Sequence, residues 1–224
     1  MSAAAARKLR PRNATEDAIL AAARESLVED GYEKLTIDGI ARRAFTSRTN
    51  VYFYFKNKRG VVDRLVQQTF AEMLVAGAPY LDGTGDPRRE LRKALGRVVL
   101  VVNRNADILL LVARLSGAEQ ALPPEWEPYI RRFVRAAAGR IRRDQERGVA
   151  PSDIPPGIAA QALCSMVERH VILEVLREGH SVTESVRVLS ELWYRAVYLA
   201  PPGAPADGPG RRSAAPDATR RSLK

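Results

Sequence analysis

The strongest constraint on the fold comes from residues 36–58, where two short amphipathic segments flank a tight turn. Thr36 and Ser47 each precede one segment, and their hydroxyls can accept a hydrogen bond from a free backbone N–H at the start of a helix. Apolar residues of the first segment recur at i, i+3, i+4 and i+7 on one helical face, namely Ile37, Ile40, Ala41 and Ala44. The pattern predicts a helix over 37–44, a turn, and a second helix over 48–54.

The second of these helices has a polar, basic and aromatic outer face. Val51 and Phe55 are four residues apart and can point inward. The residues left on the outside are Ser47, Arg48, Thr49, Asn50, Tyr52 and Tyr54. A short helix with this surface suits insertion into the major groove of DNA. By its spacing alone, the stretch is also compatible with a small helical hairpin whose arginines are simply solvated.

The same stretch closely resembles the DNA-binding domain of the TetR family of bacterial repressors. The motifs that carry the resemblance are Thr36, Ile40-Ala-Arg-Arg-Ala44, Ser47, Val51-Tyr-Phe-Tyr-Phe55 and Lys56-Asn-Lys58. The resemblance implies an all-α fold, with an N-terminal three-helix helix-turn-helix DNA-binding domain and a C-terminal helical regulatory and dimerisation domain. It also implies a homodimer that binds a palindromic double-stranded DNA operator.

Hydroxyl and basic side chains of this stretch are the expected DNA contacts, because hydroxyls suit phosphate oxygens and an arginine can bind a guanine edge. Asn57 can cap the next helix, whose first N–H groups and Lys58 together make a phosphate site. The predicted contacts are Thr36, Thr46, Ser47, Arg48, Thr49, Tyr52, Tyr54 and Lys58.

The turn departs from the family pattern at Phe45-Thr46, where Gly-Val or Gly-Ile is usual. Phe45 must therefore accept the geometry of the turn. A positive φ at this position would be strained for a bulky side chain.

The charge of the chain supports a polyanionic partner. The formal net charge is +10, and the first 60 residues hold 12 basic and 7 acidic side chains. The middle of the chain is nearly balanced, and the last 24 residues are basic again, with 5 basic and 2 acidic side chains. The excess at the helix-turn-helix end and in the tail is typical of a protein that binds nucleic acid.

Other functional classes find little support. The chain has a single cysteine, Cys164, which excludes an internal disulfide. One cysteine and two histidines, His170 and His180, are too few for the usual structural zinc site, so none is expected. The sequence contains no glycine-rich phosphate loop, no His-Glu-Xaa-Xaa-His pair and no nucleophile elbow, so we expect neither an enzyme nor a cofactor. No apolar run is long enough to span a membrane and no signal core follows the N-terminus, so we expect a cytoplasmic protein without membrane contact.

Composition and turn signals divide the chain into five parts. We expect a disordered basic arm over 1–12, a helix-turn-helix domain over 13–57, a connecting helix over 58–80, a ligand-binding and dimerisation domain over 81–200, and a disordered tail over 201–224. Asn13 and Glu16 form a predicted capping box for the first helix, and Gly31 marks its end. Helices of the second domain are predicted at 87–102, 105–117, 124–147, 156–178 and 182–199.

The last two helices carry more apolar residues than one core face requires. In the final helix, one stripe contains Val182, Val186, Leu189 and Trp193, and another contains Val188, Leu192 and Leu199. A helix that is apolar on both sides must be buried on both sides. Either it lies in the middle of a monomer or its second face meets another copy. The TetR resemblance favours a dimer, because that family pairs through its last two helices.

Two further stretches, Arg143–Pro151 and Ala162–Arg169, look similar to a branch of the same family, the mycobacterial ethionamide-resistance repressors. This resemblance implies an apolar tunnel for a ligand. Its lining here would be Trp126, Tyr129, Phe133, Cys164, Val167 and Trp193. Asparagines hold the ligand's polar group in that branch, but their positions here are occupied by Cys164 and Val167. The same ligands are therefore not implied, and the aromatic residues are also compatible with a plain core.

The sequence thus predicts a TetR-type DNA-binding transcriptional regulator, a repressor released from its operator by a small apolar effector. One alternative is a ligand-independent DNA-binding architectural or dimerisation protein, and a third is an enzyme that shares a helical fold. A thermal-shift screen separates the first two, because a ligand of the native state raises the melting temperature.

Overall fold

The computed structural model describes residues 14–115 and 126–199, and these form nine α-helices without a β-strand. The helices are α1 (Ala14–Lys34), α2 (Ile37–Arg43), α3 (Arg48–Tyr54), α4 (Lys58–Leu81), α5 (Pro87–Arg104), α6 (Ala106–Leu115), α7 (Glu127–Glu146), α8 (Pro156–His170) and α9 (Val182–Tyr198). α8 continues directly into a π-helical segment, Val171–Arg177. The predicted arm, the tail and the cap at Asn13 lie outside the described residues.

The all-α fold predicted from the sequence is confirmed, and the helices begin and end close to the predicted positions. Three of the predicted caps lie within the described residues at the starts of α2, α3 and α4, and each of them forms. Thr36 accepts a hydrogen bond from the Gly39 N–H at 3.0 Å, and Ser47 accepts one from the Asn50 N–H at 3.1 Å. Asn57 accepts one from the Gly60 N–H at 2.9 Å. These short polar side chains satisfy backbone donors that a helix leaves unpaired, which explains why the helices start where they do.

Helix α1 breaks at Gly31, where φ is 79° and ψ is 171°, and helical backbone then resumes to Lys34. The glycine therefore stops the regular helix at the predicted place, because it adopts a left-handed φ without steric penalty. Glu16, whose predicted capping partner Asn13 lies outside the described residues, accepts a hydrogen bond from Arg64 of α4 at 2.9 Å. This pair ties the first helix to the connecting helix.

Helix α4 joins the two halves of the molecule through a shared core. One continuous apolar cluster contains Ile19 and Val51 of the first three helices, Phe70 of α4, and Val99 and Val186 of the second half. In the second half, α5 packs between α4 and α9, and α7 packs against α8. None of the described helices combines the length and apolar character needed to cross a lipid bilayer.

A second bridge between the halves is polar. Arg24 of α1 donates to the Asn105 side chain at 2.7 Å, to the Arg104 carbonyl at 2.7 Å and to Asp107 at 2.9 Å. These acceptors lie at the junction of α5 and α6. The first three helices are therefore connected to the second half of the molecule at two separate places.

Candidate functional site

Helix α3 presents its polar face to solvent because its apolar residues hold it against the core. Val51 is fully buried, and Phe55, which follows the helix, is 6% exposed. Arg48, Thr49 and Tyr52 on the other side are exposed. The arrangement leaves one side of a short helix available to a groove of DNA.

The two capping hydroxyls are suited to phosphate. Thr36 and Ser47 are exposed, and in each the oxygen accepts the backbone hydrogen bond described above. The hydroxyl proton of each side chain is therefore available to donate to a phosphate oxygen. The two caps lie at the N-termini of consecutive helices, where the helix dipoles also favour an anion.

Arg48 is held over the outer face by two neighbours. Its guanidinium lies 5.6 Å from the centre of the Tyr52 ring and 3.4 Å from the Asp38 carboxylate. The Tyr52 hydroxyl and Asp38 raise the pKa of Arg48, so its charge is constant. Because the pair with Asp38 is exposed, it contributes little energy and can be exchanged for a contact with DNA.

Three other predicted DNA contacts are less free. Thr46 accepts a hydrogen bond from the Asn50 amide at 2.8 Å, and the half-buried Tyr54 ring packs against Phe53 and Phe55. Lys58 is also half-buried. Its ammonium donates to the Tyr32 carbonyl at 3.1 Å and lies 4.4 Å from the centre of the Tyr32 ring. An ammonium has three N–H donors, so this contact leaves others for a phosphate.

The turn before α3 and α3 itself each carry an exposed aromatic ring. Phe45 has a φ of 51° and its residue surface is 98% exposed, and Phe53 is 80% exposed. The positive φ expected to be strained at Phe45 is therefore present. Neither ring belongs to the predicted contact set, although both lie on the same small domain.

A cavity of about 140 Å³ lies in the second half of the molecule, lined by residues of α4, α5, α6, α7, α8 with its π-helical continuation, and α9. Five of the six residues predicted to line a tunnel are in its wall, namely Trp126, Phe133, Cys164, Val167 and Trp193. Tyr129 is not in the wall. Its ring is stacked on Phe70 at 5.0 Å between ring centres, and Phe70 itself faces the cavity. Tyr129 therefore supports the wall from behind.

The structure adds wall residues that the sequence analysis missed. Phe70, Met73 and Tyr80 come from the connecting helix α4, and Glu168 comes from α8. The signal for Glu168 was available, because it follows Cys164 by one helical turn and so shares its face. Burial raises the pKa of the Cys164 thiol to about 12, so this cysteine is an apolar wall residue and not a nucleophile.

Below the cavity, two of its wall residues enter a buried hydrogen-bond network. Trp193 donates to the Tyr80 hydroxyl at 3.2 Å, and the hydroxyls of Tyr80 and Tyr198 are 2.9 Å apart. Tyr198 donates to Asp144 at 2.9 Å, and Arg140 donates to the same carboxylate oxygen at 2.6 Å. Burial raises the pKa of Tyr80 to about 12, so the phenol stays neutral. The network links the cavity wall to α7.

Two arginines of α7, together with Arg147 directly after it, bind the C-terminal end of α4 and the loop that follows. Arg140 donates to the Tyr80 carbonyl at 2.9 Å, Arg143 to the Leu81 carbonyl at 2.6 Å, and Arg147 to the Thr84 carbonyl at 2.9 Å. Carbonyls at a helix C-terminus lack partners within the helix and carry partial negative charge. The arginines supply the missing donors, so the end of α4 is anchored directly beneath the cavity.

The outer face of α8 and α9 is apolar and exposed in the single chain. Leu192 is 48% exposed, Leu199 51% and Ile158 68%. The opposite stripe of α9 is in the core, where Leu189 and Trp193 are buried. The two stripes predicted for this helix are therefore separated as expected, one inward and one outward.

Comparison with known proteins identifies the fold and the domains. A model of bacterial regulatory proteins of the tetR family matches residues 19–65, and a model of the C-terminal domain of transcriptional regulator EthR matches residues 91–199. The chain is 28% identical over 200 residues to the HTH-type transcriptional regulator EthR of Mycobacterium tuberculosis, which covers 86% of this chain and 91% of that protein. It is 27% identical over 195 residues to EthR of Mycolicibacterium smegmatis, with coverage of 82% and 86%.

Among solved structures, the repressor SmeT of the Stenotrophomonas maltophilia multidrug efflux pump SmeDEF superposes with a TM-score of 0.63 at 19% identity. The superposition covers 86% of this chain and 97% of SmeT, and it shows the same fold. The families matched in sequence are DNA-binding regulators and not enzymes. The chain therefore combines, over residues 19–65, the DNA-binding domain of the TetR family of transcriptional regulators with, over residues 91–199, a regulatory domain of the EthR type.

Proposed function

We propose that the protein is a repressor that binds a palindromic double-stranded DNA operator as a homodimer and is released when a small apolar effector enters the cavity. It acts in the cytoplasm, where the DNA is. The observation that carries the proposal is the position of α4. This helix begins at Lys58, four residues after the end of α3, and ends at Leu81 in the cavity wall.

On the DNA side, the proposal assigns Arg48, Thr49 and Tyr52 to the groove, because they form the exposed face of α3. Thr36 and Ser47 bind phosphates through their free hydroxyl protons. Thr46, Tyr54 and Lys58 complete the interface from its edge. The same proposal divides the chain into a DNA-binding part up to residue 57, a connecting helix, and a regulatory part from 81 onward. It also includes the arm over 1–12 and the tail over 201–224.

On the ligand side, the cavity is lined almost wholly by apolar and aromatic side chains. A dry apolar cavity of about this volume binds a small aromatic molecule in a well-studied engineered protein. Trp126, Phe133, Cys164, Val167 and Trp193 contact the effector directly in this proposal, and Tyr129 supports Phe70 behind the wall. Entry of a ligand then acts on Phe70, Met73 and Tyr80, which all belong to α4.

The dimer is proposed to form through α8 and α9, whose outer faces are otherwise left apolar and exposed. A two-fold axis places two copies of α3 on one side of the assembly, and such pairs bind half-sites one helical turn apart, about 34–36 Å. The symmetry of a palindromic operator then matches the symmetry of the protein.

The DNA contacts are tested with a duplex that the wild-type protein selects from a random library. Arg48→Ala is expected to weaken binding to this duplex by about 1–3 kcal/mol and to change binding to unrelated DNA little, since the arginine contacts a base edge. Lys58→Ala is expected to weaken binding to the selected duplex and to unrelated DNA equally. It should also make the slope of log affinity against log salt concentration shallower by about one unit. The readout is fluorescence anisotropy over a salt series, and the exposed Arg142→Ala is the control. Unchanged affinity in both test variants would contradict the assignment.

A further inference from the structure

We infer that the cavity takes an effector with an apolar body and a cationic, amine-type head group, which Glu168 binds at the rim. The inference rests on the proposed function, because it specifies the chemistry of the same ligand site. It begins from the wall itself, where Glu168 is an acidic residue in a lining that is otherwise apolar or aromatic.

The helical position of Glu168 places it on the cavity side of α8. Cys164 lies four residues before it, Val171 three residues after it and Ile172 four residues after it, and all three line the cavity. Residues at these spacings share one face of a helix. Glu168 is half-buried, so part of its side chain belongs to the apolar wall and part is accessible from outside. A ligand whose body fills the cavity therefore brings its head group to this carboxylate.

The other polar groups of the wall already have partners or cannot carry charge. The Tyr80 hydroxyl and the Trp193 N–H are bonded to each other, and the Cys164 thiol stays protonated. Among the described residues that line the cavity, none is a lysine, arginine or histidine. The head group of a ligand is therefore left to Glu168.

The surroundings make a cation the favoured partner. Burial raises the pKa of Glu168, and the neighbouring Arg169, which is exposed, lowers it by less. A raised pKa means that the ionised carboxylate lacks sufficient stabilisation in the free protein. An ammonium group at the rim supplies it through a charge-assisted hydrogen bond. The net charge of +10 repels cations in general, so a preference for amines has to come from a local group.

The test uses three probes of similar shape at pH 7, namely 2-phenylethylamine, 2-phenylethanol and 3-phenylpropionate. Each has a phenyl ring suited to a cavity of about 140 Å³ and a short tether that reaches the rim. Both tryptophans of the chain, Trp126 and Trp193, line the cavity, so intrinsic fluorescence reports binding. We expect the amine to bind roughly tenfold or more tightly than the alcohol, because a hydrogen bond between charged groups contributes about 1.5–3 kcal/mol. The carboxylate probe should bind most weakly.

The variant Glu168→Gln keeps the shape of the side chain and removes its charge, so the amine and the alcohol should then bind equally. Glu168→Met provides a second uncharged variant if the glutamine protein is unstable. The control is Glu178→Gln, which alters an exposed glutamate beyond the end of the π-helical segment and should keep the full preference for the amine.

Equal binding of amine and alcohol to the wild-type protein would overturn this inference and leave the cavity as a ligand site. A preference for the amine that survives in both Glu168 variants would overturn it as well. If none of the probes binds, the proposed ligand site fails, and the inference fails with it. The inference is supported if the wild-type protein and Glu178→Gln prefer the amine to the alcohol and both Glu168 variants lose this preference.

Discussion

Phe45 shows how a single residue can depart from the pattern of its family and be tolerated. Its φ of 51° lies in the left-handed region, which costs a residue with a β-carbon about 1–2 kcal/mol. Its ring is almost completely exposed, so packing does not offset the strain. The turn between α2 and α3 is held from both sides, since the Phe45 N–H bonds the Arg42 carbonyl at 3.2 Å and the Thr46 N–H bonds the Ala41 carbonyl at 2.9 Å.

Phe45→Gly is therefore expected to stabilise the protein by up to about 1 kcal/mol, since relief of the left-handed strain exceeds the extra entropy of glycine in the unfolded chain. Phe45→Ala is the matched control, because it removes the ring and keeps the β-carbon. The free energy of unfolding from denaturant titrations decides the matter. Equal stabilities of the glycine and alanine variants would show that the turn is not strained.

At this scale, residues with local roles were readable from the sequence and residues with tertiary roles were not. Thr36, Ser47 and Asn57 were predicted as caps because a cap depends on the next three residues only. The predicted strain at Phe45 also follows from local geometry. Glu168 shares a helical face with Cys164, but it was missed because its importance depends on five other helices that bring apolar walls around it.

At the scale of elements, the connection between α4 and α7 is the least expected feature. Arg140 and Asp144 are fully buried, and Arg140 also binds the Glu90 carboxylate at 2.7 Å. Arg140 and Asp144 are four residues apart on a helix, and in the sequence this spacing is typical of an ordinary surface ion pair. In the structure this ion pair is buried against the end of α4, where Arg140 donates to the Tyr80 carbonyl. Helix boundaries were predictable from caps and periodicity, whereas this burial depends on how α4, α5 and α7 meet.

Arg140→Leu is expected to destabilise the protein by about 3–5 kcal/mol, because it leaves the buried Asp144 carboxylate without its main partner. The control is Arg142→Leu, an exposed arginine of the same helix, which should change stability by less than about 0.5 kcal/mol. Both values come from chemical denaturation monitored by circular dichroism. Similar losses in the two variants would show that the buried network does not stabilise the fold.

At the scale of the whole molecule, the outward stripe of α9 is the surface proposed to pair with a second copy. Leu192→Glu is expected to convert a dimer into monomers, because the new carboxylate would be buried without a partner at the interface. Leu192 is half-exposed in the single chain, so the monomer itself should remain folded. Val28→Glu is the control, since Val28 is also an exposed apolar residue, at 59%, and lies on α1, remote from α8 and α9 in the chain.

Light scattering after size-exclusion chromatography gives the mass of each variant, and a thermal melt confirms that it is folded. A wild-type protein that is monomeric at micromolar concentration would reject the proposed interface. So would a Leu192→Glu variant that remains a dimer.

The largest-scale consequence of the structure concerns the coupling between cavity and DNA. Helix α4 has 24 residues and is therefore about 36 Å long. The residues that it contributes to the cavity wall, from Phe70 to Leu81, all belong to its C-terminal half. Arg24 links the DNA-binding half to the junction of α5 and α6 at a second point. A ligand that displaces the end of α4 therefore moves a rigid element that begins at Lys58.

In a dimer, this movement changes the separation of the two copies of α3, which must match grooves about 34–36 Å apart. A ligand acts only if it binds the spacing that cannot hold DNA more tightly than the spacing that can. By linkage, bound operator must then weaken the binding of the ligand by the same factor by which bound ligand weakens the binding of the operator. We expect 2-phenylethanol, chosen because it is uncharged, to show a higher Kd in Trp fluorescence when the selected duplex is bound. An unrelated duplex of equal length should leave the Kd at a value closer to that of the free protein, because it is bound less tightly. The same Kd with and without the selected duplex, for a probe that occupies the cavity, would rule out the coupling.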